Sequence, residues 1–224
     1  MDSDLAQMIV ERYLLAADEQ VEAVEAQANG TLVYTSAKEW LVVQAAPVPS
    51  VDCSFIELYP ASDRSGARPR GVTLMTDGTS YALFERDGFA RFCQRLYARL
   101  SLVDLAALLA RYQGQGPSLH RQQNLIVQPS DLVDRLTEED IGRFGATVGL
   151  RGVREADGAL SLDFCTFFFA PDPATRVLKA GLNQWHAANH AGHLSWSVDL
   201  LVEGLPSPRY EPSASGHVSV THGS

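Results

Sequence analysis

Residues 31–86 constrain the fold most: β-rich runs at 31–35, 40–45, 53–59, 72–76 and 81–85 alternate with clusters of Pro, Gly, Asp and Ser. Connections this short cannot carry a crossover, so neighbouring runs have to pair antiparallel, as a meander. Asp77-Gly78 stands between the last two runs, and a two-residue type I′ turn, which needs positive φ at both positions, favours that pair. A sheet of this kind needs cover on its apolar face, and helices elsewhere in the chain have to supply it.

Helical spacing occurs in three places. Over residues 4–28, Leu5, Ile9, Ala16 and Ala23 share a face with Met8 and Leu15 beside them, and Asn29-Gly30 follows as a stop. Val10, Leu14, Ala17 and Val21 fall on nearly the opposite side, so a helix of this length needs two packing partners. Val10, Leu14 and Val21 are the expected interaction surface, for another protein or for a second copy in a homodimer. Downstream, Asp87 is placed to cap a helix whose Phe89, Phe92, Cys93, Leu96 and Leu100 share one face. Continuing it would carry Leu102, Leu105 and Leu109 to the arginine-bearing side; a break near Ser101 resolves this, and Ser101 with Asp104 resembles a capping box. The third helix is expected over residues 173–191, with Leu178, Leu182 and Trp185 inward.

The second half begins with a strand at 124–128 and short helical pieces at 130–136 and 138–144, capped by Ser130 and Thr137. A hairpin around Asp157-Gly158 follows, and its return strand, 160–170, becomes apolar on both faces at Phe167-Phe168-Phe169, which predicts a central strand. In the last strand Trp196, Val198, Leu200 and Val202 alternate with polar residues. Both halves then read as hairpin, helix, strand, a possible ββαβ pseudo-repeat. The expectation is an α+β protein: antiparallel meanders in one or two sheets, covered by three main helices. Residues 1–113 and 118–205 form two halves packed as one globular unit, and 206–224, without apolar periodicity, form a disordered or loosely attached tail.

Charge narrows the partners. Eighteen Lys+Arg against 27 Asp+Glu give a net charge of −9, which opposes non-specific attraction to nucleic acid or anionic lipid. Neither nucleic acid nor membrane is expected, and no apolar run approaches a bilayer's width. The acidic start Met1-Asp2-Ser3-Asp4 is unlike a secretory signal, and Cys53, Cys93 and Cys165 are scattered and free of C-x-x-C spacing, so reduced thiols and a cytoplasmic location are expected.

Three clusters carry candidate chemistry. His186, His190 and His193 would project from one side of the third helix, a spacing able to present imidazoles to a divalent metal, although a helix C-terminus attracts histidines without one. Arg64, Arg68 and Arg70 concentrate charge in a loop able to hold an anion, against the plainer reading of a solvated loop. Arg91, Arg95 and Arg99 form a basic helix face, read as solvated surface. Cys165 in a buried strand reads as a small hydrophobe unless a basic neighbour activates it, and Glu138-Glu139-Asp140 after Thr137 reads as capping. Trp40, Tyr59, Tyr81, Phe84, Phe167 and Phe169 could line a pocket or simply fill a core.

No G-x-S-x-G, P-loop, G-x-G-x-x-G or H-E-x-x-H motif is present. The leading expectation is a non-catalytic protein-interaction module: an adaptor, a dedicated chaperone or an inhibitor or immunity-type partner. The alternatives are a small-ligand binder or cofactor-free enzyme with an aromatic pocket, and a His-cluster metalloenzyme. No cofactor is expected, with a divalent metal required only by the last.

Overall fold

The short connections of the first half do produce a meander. The computed structural model describes residues 2–13, 15, 18–45, 48, 50–61, 70–114, 123–190 and 192–208. Among these, ten strands in antiparallel sheets and four helices make an α+β protein. The chain divides into two units, Met1–Phe92 and Cys93–Ser224.

In the first unit α1 (Ser3–Tyr13) is followed by β1 (Val21–Gln27), β2 (Gly30–Thr35), β3 (Glu39–Gln44), β4 (Cys53–Pro60) and β5 (Arg70–Met75), paired in that order. Val33, Trp40, Val42, Ile56, Leu58 and Val72 form one core with Ala6, Ile9 and Val10 of α1. Between Ile56 and its neighbours the strand alternates, so Phe55 points the other way and meets Phe92 edge-on, ring centroids 5.8 Å apart. A turn forms at Asp77-Gly78, but not the two-residue type I′ turn: only Gly78 has positive φ (+79°). Met75 N donates to Thr79 O at 3.0 Å and Gly78 N to Met75 O at 2.9 Å, closing a three-residue loop in which the glycine alone takes the left-handed position. The returning segment pairs back on β5, Thr73 N donating to Tyr81 O (3.1 Å) and Leu83 N to Gly71 O (2.7 Å).

The helix expected over residues 4–28 does not form as one element. α1 ends at Tyr13, and β1 joins β2 through a two-residue turn at Ala28-Asn29. A bulge at Glu22 shifts the register between Val21 and Ala23, so Val21 and Val24, three residues apart, both pack against the core. Three-residue spacing imitates a helix, and here a bulged strand produces it. Pairing with β2 satisfies backbone groups and adds two valines to the core, gains that outweigh helix propensity.

The division between units falls within α2 (Arg86–Leu96), and α3 (Leu102–Gln113) begins after Ser101, whose side chain accepts from Asp104 N at 3.0 Å. The break and its cap are as expected. The second unit continues with β6 (Asn124–Ile126), a 3₁₀ turn (Pro129–Leu132), α4 (Glu138–Phe144), β7 (Arg151–Arg154), β8 (Leu160–Pro171), β9 (Leu178–His190) and β10 (His193–Leu205). The sheet runs β10-β9-β8-β6, with β7 also on β8, so β8 is central as its sequence requires. Gly158, at φ +88°, turns β7 into β8.

The helix expected over residues 173–191 is instead β9, hydrogen-bonded on both sides. Leu182 and Trp185 do not share a face. Leu182 packs with Phe167, Ile126 and Leu136, whereas Trp185 stacks on Phe164 from the opposite side, centroids 5.3 Å and planes 11° apart. Gly181 lies so close to the Phe168 ring that a Cβ there would overlap it. With a strand in place of that helix, the ββαβ pseudo-repeat does not hold. Residues 209–224, most of the expected tail, lie outside the described residues.

Candidate functional site

On the β8-β9-β10 sheet one face is mostly apolar: Leu160, Leu162, Phe164, Trp185, Ala187, Leu194 and Trp196 are all buried, with Asn189, Thr166 and Asn183 as its polar members. The other face changes along its length. Near Cys165, Phe167 and Leu182 it is covered by Leu132, Leu136 and Phe144. Beyond Cys165 the outward positions turn polar, and an open cleft of about 450 Å³ is lined by Ser161, Asp163, His186, Ala188, Ser195 and Ser197.

Strand register builds the cleft. Arg151 pairs with Asp163, Asp163 with His186 and His186 with Ser197, so a single row of side chains crosses β7, β8, β9 and β10. Within it His186 Nδ1 and Asp163 Oδ1 are 2.6 Å apart, with the side chains 52% and 50% exposed. An Nδ1–H donated to the carboxylate leaves Nε2 as an acceptor for a ligand. At this exposure water screens the pair, so its effect is to orient the ring rather than to hold the fold. Ser197 Oγ makes no hydrogen bond to His186, so the row offers polar contacts and not a serine already engaged by its base.

Cys165 marks the buried end of this face. Its Sγ lies 3.0 Å from Gln184 Oε1, and burial pushes the thiol up from its ordinary value. It behaves as a small core residue and not as a thiolate.

The three histidines do not converge. Four residues of strand separate His186 from His190 by about 13 Å, while His190 pairs with His193 across the hairpin turn. Among the described residues no group of three His, Cys, Asp or Glu is placed to hold a metal ion. A helix would have stacked these imidazoles; a strand spreads them out.

Arg64 and Arg68 lie outside the described residues, and Arg70 opens β5, its Nη1 donating to Tyr13 O at 3.1 Å. Of the expected interaction surface, Leu14 lies outside the described residues, Val10 is buried in the first unit's own core, and Val21 is half-buried against it. Thr137 caps α4 by accepting from Asp140 N at 3.2 Å, which accounts for the acidic cluster there. Trp40 belongs to the first unit's core, and Phe167 and Phe169 to the second's, as packing rather than a pocket wall.

Sequence reasoning missed Ser161, Asp163, Ser195 and Ser197 as a group. Their alternation with buried neighbours was visible, but their meeting depends on β9 lying between them. No protein-family model, curated protein or solved structure matches the chain.

Proposed function

We propose that the chain is a non-catalytic protein-interaction module, of adaptor, dedicated-chaperone or inhibitor type, whose docking element is the outer edge of β10. The observation that carries this reading is the edge itself. Among the described residues β10 is a thirteen-residue strand at the end of its sheet, and Val198, Leu200 and Leu201 are 43%, 58% and 38% exposed on it. Unpaired strand edges invite another strand, and proteins that avoid this place charges on them. The edge strand β1 carries exposed Glu22 and Glu25; β10 carries exposed Asp199 and Glu203, but three of its four residues from Val198 to Leu201 are exposed and apolar. Strand addition at such an edge gains affinity from main-chain hydrogen bonds and specificity from alternate side chains.

The test is a double substitution, Val198→Lys with Leu200→Lys, at positions already exposed to water. Specific association of the full chain should be lost while the far-UV circular dichroism and melting temperature stay unchanged. Association that survives both lysines overturns the reading.

One observation favours a second reading, a small-ligand binder: the Asp163–His186 pair in its cleft. Thermal-shift screening against polar metabolites should then yield a stabilising compound whose effect is lost in His186→Ala. A compound whose effect persists in that variant binds elsewhere.

A further inference from the structure

We infer that the partner of the β10 edge is a second copy of this chain, joined through antiparallel β10 to β10 pairing about a two-fold axis at Ser197. This deepens the interaction reading above and rests on it.

The regular part of β10 is short and bounded. It pairs with β9 without interruption from His193 to Leu200, and register shifts follow at Leu200/Val202 and Val202/Leu205. Bulges disturb an edge for any incoming strand, so a new strand has only this stretch to use. A two-fold normal to the sheet maps each face onto itself, so apolar positions meet apolar ones and polar meet polar.

Centred on Ser197, the segment Leu-Ser-Trp-Ser-Val-Asp-Leu (194–200) is complementary to itself. Leu194 falls opposite Leu200 of the second copy and Trp196 opposite Val198, which covers both exposed apolar side chains of the regular stretch. On the polar face Ser197 meets Ser197, and Ser195 meets Asp199, the only charge in the segment; the Ser195 hydroxyl, which donates to Ala188 O at 3.4 Å, would turn from that long bond to the carboxylate. The two Asp199 carboxylates are kept about 13 Å apart along the strands. Neighbouring registers fit less well. Centring on Trp196 sets Leu200 opposite Gly192 and leaves it bare, and centring on Val198 sets Ser195 against Leu201 at the bulge.

Seven paired residues make a small interface, at the low end of specific ones, so the dimer is expected to be micromolar. The polar row then runs unbroken through the axis, Asp163–His186–Ser197 in one copy continuing as Ser197–His186–Asp163 in the other. The two clefts become halves of one polar face.

Sedimentation equilibrium on the full chain should show a monomer–dimer equilibrium, and Val198→Lys with Leu200→Lys should weaken it by about 100-fold or more without unfolding. Register is read by cross-linking in a Cys53→Ser background, since Cys53 is the only native thiol not fully buried. Ser197→Cys should give a disulfide dimer on mild oxidation, its Cα facing its copy at about 5 Å, whereas Ser195→Cys should not. A wild type that stays monomeric at several hundred micromolar overturns the inference, as does equal cross-linking at both positions. If that monomer binds another protein and loses it on the double lysine substitution, self-pairing alone has failed; if nothing it binds depends on Val198 and Leu200, the interaction reading fails with it.

Discussion

Val10 separates a core from an interface. Its exposure is 0%, and it packs with Ala6, Ile9 and the strands of its own unit, so no partner is needed to keep it from water. Val10→Asp should cost on the order of 3 kcal/mol or more by forcing a carboxylate among apolar groups, and urea denaturation should show loss of the folded state rather than release of a soluble monomer. Asp172 makes a different local statement. Thr175 N, Ala174 N and Thr175 Oγ1 all donate to its Oδ1, at 2.8, 2.9 and 3.1 Å, and they hold its carboxyl below the usual carboxylate range. A depressed folded value means the unfolded chain takes up its proton first as pH falls. The contribution is therefore present above about pH 4 and is lost as pH drops through the folded value. Asp172→Asn keeps an acceptor oxygen but no titration, so denaturation midpoints at pH 7 and pH 3 should lie closer together in the variant than in the wild type.

At the scale of elements, β9 is where local preference and tertiary structure disagree. Leu178, Leu182 and Trp185 have helical spacing, yet as strand residues Leu182 and Trp185 serve two cores on opposite sides. Thr166, Gln123 and Asn183 add a polar network beside Trp185, with Asn183 Nδ2 donating to Gln123 Oε1 at 2.8 Å and Trp185 Nε1 to Thr166 Oγ1 at 3.0 Å. Gly181→Ala discriminates the two conformations by sign. In a helix interior it would stabilise by about 1 kcal/mol; in β9 the new Cβ overlaps the Phe168 ring, and a loss of about 1–3 kcal/mol is expected from the shift in urea midpoint.

At the scale of the whole molecule, charge modulates association. Each copy carries −9, so two copies repel at long range while their β10 edges attract at contact. Raising salt shortens the Debye length, which is about 10 Å at 0.1 M. The self-association constant should rise between 50 and 500 mM salt, measured by sedimentation. A basic partner would give the opposite slope.

The sequence by itself determined the elements whose causes are local. Short connections and Asp77-Gly78 specify the antiparallel meander, Ser101 with Asp104 separates α2 from α3, and apolar residues on both faces make β8 central. Each depends on neighbours within a few residues. Tertiary structure alone decided β1 and β9, because a bulge at Glu22 and two opposed cores around Leu182 and Trp185 reproduce helical spacing without a helix. It also decided the site. Asp163, His186 and Ser197 are up to 34 positions apart in the chain, and only the pairing of β8, β9 and β10 brings them into one row. Register is a property of strands that have already met, and no residue carries it alone.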